Sequence, residues 1–208
     1  MISVFIIENP LVKVDVTNLR NKSTNEELFR NSVKRISYAL AIEISNYFNV
    51  KEINVETPLE MAIGHELTHS IVLVPILRAG LGMMEAFLEI MPQASVGHIG
   101  LQRDEETLQP IDYYYKTPKQ LDKAKVILLD PMLATGGSSS AAISYLKKSG
   151  AKECYFASLI STPEGIKKVT TDHTDIKIFT AALDRGLNEK GYIVPGLGDA
   201  GDRTFGTL

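Results

Sequence analysis

A single cysteine, Cys154, stands among the 208 residues, so no disulfide can close within one chain. It falls in the apolar run E-C-Y-F-A-S-L, where core packing is the expected role and a reactive thiol the lesser alternative. Basic residues are not in excess. The 22 Lys and Arg against 25 Asp and Glu give a formal charge of −3, which argues against nucleic acid as a main partner. No apolar run approaches the ~18 residues that a membrane span needs. Met1 to Ile7 is apolar, but no basic segment precedes it and Glu8, Asn9 and Pro10 follow at once, so no signal peptide is expected. With 44% apolar and 23% charged residues, the expected class is a globular cytoplasmic protein, one domain over 1–208 with a substantial core.

Chemistry is concentrated in V-I-L-L-D-P-M-L-A-T-G-G-S-S-S-A-A at 126–142. Val126 to Leu129 reads as a buried strand, closed by the carboxylate of Asp130. Thr135, Gly136, Gly137 and Ser138 then bring hydroxyls and free backbone to the start of a helix, expected from about Ser138 to Lys148. The first N–H groups of a helix lack partners and sit at the positive end of its dipole, which suits a phosphate. The same residues would also make a plain strand-to-helix turn. Asp130 favours a ligand, because a carboxylate at a strand's carboxyl end lies where open α/β sheets bind, and it accepts hydrogen bonds from ribose hydroxyls.

In chain order, Ser3 to Val16 is extended in character, with Asn9-Pro10 as a turn signal. Ser23 and Glu26 match a capping box, and Phe29, Val33, Ile36, Leu40, Ile44 and Phe48 recur at helical spacing. Lys51 to Val55 predicts a short strand, and the segment after Pro58 a loop with a weak turn of helix. Next, His65, Glu66, Leu67, Thr68 and His69 spell H-E-x-x-H, the zinc peptidase pattern. That chemistry needs both histidines on one helix, and the apolar strand Ile71 to Val74 begins where the helix would have to continue, so no zinc is expected.

Past Pro75, I-L-R-A-G-L-G-M-M-E-A-F-L is a second strand-to-helix junction. It lacks the third glycine of a dinucleotide fingerprint but offers Arg78, whose guanidinium suits phosphate oxygens as well as a surface ion pair. After a helix from Leu81 to Met91, a strand from Ser95 to Leu101 delivers Arg103. The stretch 104–118, with Pro110 near its tip and Tyr113 to Tyr115, predicts a projecting hairpin arm that covers a site or grips a second subunit. Strand 154–160, the Thr162-Pro163 helix start and strand 176–181 ending toward Asp184 complete the alternation. The predicted fold class is α/β: a mainly parallel twisted sheet with helices on both faces, plus the arm. Arg78, Arg103, Asp130 and Asp184 all fall at strand carboxyl ends, where a crevice would lie.

The tail from 184 holds six glycines between 186 and 206, shows no helical period, and contains an accidental G-x-G-x-x-G at Gly196, Gly198 and Gly201. Its apolar anchors, Tyr192, Ile193, Val194, Leu197 and Phe205, predict an ordered loop that brings backbone close to a ligand such as a planar base.

Three separated stretches carry a resemblance: D-P-M-L-A-T-G-G-S at 130–138, V-P-I-L-R-A-G-L-G-M at 74–83 and G-Y-I-V-P-G-L-G-D-A-G-D-R at 191–203. Together, and in this order, they closely resemble the uracil phosphoribosyltransferases, end to end. The resemblance implies a phosphoribosyltransferase-like fold that makes UMP and pyrophosphate from uracil and phosphoribosyl pyrophosphate, for pyrimidine salvage. It implies that Asp130, Pro131, Met132, Leu133, Ala134, Thr135, Gly136, Gly137 and Ser138 hold the ribose 5-phosphate. Arg78 and Arg103 would bind the pyrophosphate, with Asp199 near the pyrophosphate and its metal. Ile193, Gly198, Asp199 and Ala200 would read uracil, making 184–208 the base-recognition segment.

Arg103, Asp130 and Asp199 are the expected catalytic residues. Mg2+ is expected as a cofactor carried mainly by the pyrophosphate, with no metal site of the protein's own. Two departures from the wider pattern stand out: Pro131 follows Asp130 where a second acid is usual, and Gln102 precedes Arg103 where an aromatic residue is expected.

Breaking the anomeric C–O bond builds positive charge on the ribose and negative charge on pyrophosphate, so a carboxylate and arginines on opposite sides lower the barrier. The expected partners are these two substrates and, through the arm, a second copy in a homodimer or larger assembly. GTP is a candidate activator; neither nucleic acid nor membrane is expected. The alternative reading is a phosphoribosyltransferase-like regulator that responds to pyrimidine nucleotides and binds RNA; a different base, hypoxanthine or orotate, is a nearer one.

Overall fold

The computed structural model of the chain describes residues 3–103 and 110–207, with 102, 103 and 110–112 described by their backbone alone. Strand β1 (Val4–Ile6) leads into helix α1 (Pro10–Arg20), then α2 (Glu26–Ser45), an exposed hairpin of β2 (Val50–Glu56) and β3 (Met61–Leu67), β4 (Ser70–Leu77) and α3 (Leu81–Ile90). Strands β5 (Ser95–Val96), β6 (His98–Arg103), β7 (Pro110–Lys116), β8 (Ala124–Leu129) and β9 (Met132–Leu133) precede α4 (Gly137–Lys148). The chain closes with β10 (Glu153–Ser161), α5 (Pro163–Asp172), β11 (Lys177–Leu183), the pair β12 (Gly186–Leu187) and β13 (Ile193–Val194), and α6 (Ala200–Phe205).

The main sheet runs β1-β11-β10-β8-β4-β6-β7, parallel except where β7 turns back on β6. Its strands are apolar on both sides because both faces are covered. Ile71, Leu73, Ile127, Leu129 and Phe179 pack under α1, α2 and α3, whereas Val72, Val74, Val126, Leu128, Phe156 and Ile178 meet α4 and α5. Cys154 is buried in this second core, where burial pushes its thiol up to about 11 and leaves it a packing residue at neutral pH.

Four expectations change. Ser3 to Val16 is not extended throughout: Asn9 Oδ1 accepts from the N–H groups of Leu11 and Val12 at 2.9 and 3.4 Å, and Pro10 takes the first helical position of α1. Helix α2 is capped by Asn25, which accepts from Leu28 N–H at 2.9 Å, rather than by a Ser23–Glu26 box. The segment after Pro58 is strand β3, and it carries His65 away from the helical turn that H-E-x-x-H would need. The tail does contain a helix: Asp199 caps α6 and Gly206, at φ +69°, ends it. The arm exists as the antiparallel pair β6–β7, and its tip at 104–109 lies outside the described residues. No described helix is long and apolar enough to cross a membrane.

Candidate active site

Parallel strands point their carboxyl ends the same way, so Arg78 after β4, Arg103 at the end of β6 and Asp130 after β8 arrive on one side of the sheet. Beside β8, a cavity of about 250 Å³ is lined by Ala79, Asp130, Met132, Ala134, Ile193, Gly198, Asp199, Ala200 and Gly201, together with Gly191 and Tyr192. Residues separated by seventy positions in sequence thus face one space. A groove of about 670 Å³ between β1, α1 and α2 is larger, yet none of the expected substrate residues lines it. Size alone does not select between them; the convergence of carboxylates and strand ends makes the smaller cavity the candidate site.

Asp130 is half-buried, and one carboxylate oxygen accepts from the N–H of Met132 at 3.3 Å. Burial pushes its carboxyl up to about 7, against a smaller downward pull from that hydrogen bond.

Downstream, Pro131 is buried, and Leu133 is wholly so, its side chain in the α4–α5 core and its carbonyl accepting from Thr162 N–H at 3.0 Å. Any part these two play toward a ligand therefore falls to backbone. Met132 and Ala134 line the cavity, while Thr135 to Ser138 lie beyond its lining, at the start of α4. Gly136 takes φ +79° as the cap of that helix, and a Cβ there would stand 2.8 Å from the carbonyl oxygen of Gly165. Only glycine combines that backbone with that neighbour.

Thr162 holds this loop from behind. Its hydroxyl donates to Ala134 O at 2.6 Å and accepts from Gly165 N–H at 3.0 Å, so one side chain caps α5 and fixes the approach to α4. The sequence shows Thr162 as a helix cap, but its grip on residue 134 is a tertiary contact without a local signal.

The opposite wall, Ile193 to Ala200, is braced by two arginines. Arg20 pairs with the buried carboxylate of Asp184 and also donates to Gly196 O at 3.1 Å, while Gly196 N–H donates to Asp184 at 2.8 Å. Arg203 lies 4.4 Å from the centre of the Phe29 ring and donates to Leu197 O at 2.8 Å and to the carbonyl oxygen of Leu19. Asp184, placed by sequence at the crevice, therefore serves the fold of this wall. Ile193 is buried, Gly198 and Asp199 are exposed, and Asp199 Oδ1 accepts from Asp202 N–H at 2.8 Å as the cap of α6.

Arg78 is more than half exposed and pairs with Asp202 at 3.1 Å, just outside the cavity lining. The backbone of Arg103 ends β6 opposite Pro110; its side chain lies outside the described residues. Among the described residues no group of three or more His, Cys, Asp and Glu is arranged to hold a metal ion.

A parallel sheet with a Gly-Ser loop at a helix start, a half-buried acid after the preceding strand and a small cavity opposite defines a phosphoribosyltransferase-type fold. A solved purine phosphoribosyltransferase from Pyrococcus horikoshii shares it with TM-score 0.53 at 19% identity, over 74% of this chain and 83% of that one. A solved protein from Aquifex aeolicus superposes much more fully, with TM-score 0.92 and 37% identity over 97% of each chain.

The family model described as uracil phosphoribosyltransferase matches residues 6–207. Proteins of that name from Fervidobacterium nodosum and Dictyoglomus thermophilum are 50% and 51% identical, each over 98% of this chain and 99% of its own length. The chain belongs to the uracil phosphoribosyltransferase family.

Proposed function

We propose that the chain transfers the ribose 5-phosphate group of phosphoribosyl pyrophosphate to uracil, giving UMP and pyrophosphate. The observation that carries this reading is one cavity faced by Asp130 on one wall and by Asp199, Gly198, Ala200 and Ile193 on the other. In this reading the sugar lies on Asp130 in the cavity, while its 5-phosphate reaches past the lining to Thr135 to Ser138 at the start of α4 and the pyrophosphate reaches the rim, to Arg78 and Arg103. As the anomeric bond breaks, Asp130 and Asp199 stabilise the positive charge and the arginines the leaving group. Pro131 leaves no second acid beside Asp130, so Asp199 supplies the other carboxylate. Mg2+, carried by the pyrophosphate and faced by Asp199, would add charge neutralisation on the phosphates.

Uracil presents an N–H between two carbonyl oxygens, which backbone groups of residues 193–200 can match. Cytosine would leave those groups unpaired, and a mismatch of this kind discriminates by about 10⁴ in a well-built site. The whole of 1–208 serves as one catalytic domain, with 184–208 as its base segment.

Assembly into a homodimer or larger oligomer fits two exposed features: Tyr113 and Tyr114 on the arm, and Leu59, Met61 and Ile63 on the β2–β3 hairpin. Incubating the purified chain with Mg2+, phosphoribosyl pyrophosphate and one labelled base at a time tests the reading. UMP from uracil, with cytosine, hypoxanthine and orotate converted far more slowly, supports it. Faster conversion of another base, or no nucleotide at all, overturns it.

A further inference from the structure

Arg78 is proposed above as a pyrophosphate ligand, yet its side chain stands 57% exposed at a strand end, where a long flexible cation has many rotamers to choose from. Among the described residues one group restrains it. Asp202, in the first turn of α6, accepts from the terminal nitrogen Nη2 at 3.1 Å through Oδ1, and the same oxygen accepts from the Thr207 hydroxyl at 2.6 Å. The Thr207 hydroxyl, with the Arg78 guanidinium second, holds the Asp202 carboxyl below the usual carboxylate range, so it stays ionised at neutral pH.

The restraint is placed where it matters to both walls. The N–H of Asp202 is the group that Asp199 caps at 2.8 Å. Between them, Gly201 lines the cavity, and a Cβ on it would stand 3.2 Å from Asp199 Oδ1 and 4.0 Å from Arg78 Nη2. One helical turn therefore fixes the acid of the base wall and the cation of the pyrophosphate wall together. Because Asp202 engages a single terminal nitrogen, the rest of the guanidinium fork is left for phosphate oxygens.

We propose that Asp202 is a positioning residue for phosphoribosyl pyrophosphate, acting through Arg78: it holds the guanidinium at the cavity rim in the orientation that receives the pyrophosphate. This rests on the substrate assignment above. Its negative charge also opposes an incoming anion, so the sign of the effect is itself the test. If ordering of Arg78 outweighs that repulsion, removing the charge weakens substrate binding; if repulsion dominates, removing it tightens binding.

The experiment compares the full-length wild type with Asp202→Asn, Asp202→Glu, Arg78→Ala and the Arg78→Ala/Asp202→Asn pair, in kinetics and in calorimetric binding of magnesium phosphoribosyl pyrophosphate. Asn keeps the backbone N–H that Asp199 caps, so α6 is preserved. The expected result for Asp202→Asn is a rise of about tenfold in KM and Kd for phosphoribosyl pyrophosphate, with kcat and the uracil KM changed by less than about twofold. Asp202→Glu recovers part of the loss, and the double variant is no worse than Arg78→Ala alone.

Unchanged or tighter binding by Asp202→Asn, or additive losses in the double variant, would overturn the proposal. A purely structural role would lower the melting temperature and disturb both substrates alike. Silence of the wild type with uracil would overturn the assigned reaction instead, and the calorimetric comparison would still decide the role of Asp202.

Discussion

Residues 130–138 are held by neighbours in the sheet, whereas residues 193–200 are held by groups that reach in from the other end of the chain. Asp130 N–H donates to Ala157 O at 3.1 Å on the adjacent strand, and Thr162 grips Ala134 from the end of that same strand. The base wall depends instead on Arg20, 176 residues from the Gly196 carbonyl it holds, and on the contact of Arg203 with Leu19, 184 residues away. The proposed phosphate site needs β8, β10 and the helices that follow them, all close in the sheet. A base site of the second kind is complete only when α1 has docked, so substitutions far from the cavity should disturb uracil before they disturb the sugar phosphate.

The largest effect expected is at the point where the walls meet. Asp199→Asn should lower kcat by roughly 10²–10³, the loss typical of a removed transition-state charge partner, while Asn still caps α6 and the melting temperature holds. Near-normal UMP synthesis by this variant would remove Asp199 from the chemistry. Next comes the brace of the base wall. Asp184→Ala leaves Arg20 without its partner and Gly196 N–H without its acceptor, at a cost of about 3 kcal/mol in stability, measurable by chemical denaturation. It should raise the uracil KM well above any change for phosphoribosyl pyrophosphate. Equal changes in both would dissolve the distinction between the walls.

The complementary change is Gly136→Ala, which places a side chain at φ +79° and 2.8 Å from Gly165 O. Backbone strain of about 1–2 kcal/mol, together with displacement of the helix start, should weaken phosphoribosyl pyrophosphate by several-fold and leave uracil almost untouched. A uracil-selective defect here would contradict the assignment of this wall.

A further effect is one of pH, read in stability rather than in turnover. The Asp130 carboxyl is raised from 3.8 to about 7, so between those values the folded state holds a proton that the unfolded state has released. Its contribution to stability is then fully present below about pH 4 and is lost as pH rises through about 7. Asp130→Asn, neutral throughout, should gain melting temperature relative to the wild type between pH 5 and pH 8. Substrate binding, which favours the ionised form, should release protons near pH 7. A pH-independent difference in melting temperature would show that Asp130 does not titrate in this range.

The same contrast explains what could be read from the sequence. The apolar runs 71–74 and 126–129, the acid closing one of them and the Gly-Ser helix start are local patterns, and the structure places the runs in the parallel sheet, the acid directly after β8 and the Gly-Ser segment at the start of α4, as expected. Helix α1 reads from the sequence as extended chain with a turn at Asn9-Pro10, because the same pair that caps the helix also signals a turn and its buried face, Val12, Val16 and Leu19, is short. Helix α6 is too short to show a period, and its only local marks are Asp199 and Gly206. Thr162 is legible as a helix cap and Asp184 as a strand end, but the grip of Thr162 on Ala134 and the pairings of Arg20 with Asp184 and of Asp202 with Arg78 have no local signal, because each is defined by a partner on another element. Tyr113 to Tyr115 pointed to an exposed arm, while the equally exposed β2–β3 hairpin was masked by the lack of alternation after Pro58.

The central claim is that one cavity joins a ribose phosphate held at Asp130 to a base held at 193–200. Its most direct test is the product balance when wild-type protein, Mg2+, phosphoribosyl pyrophosphate and labelled uracil are mixed: UMP and pyrophosphate should appear one to one and should stop when Mg2+ is chelated. Release of pyrophosphate without UMP, or no consumption of uracil, would contradict it.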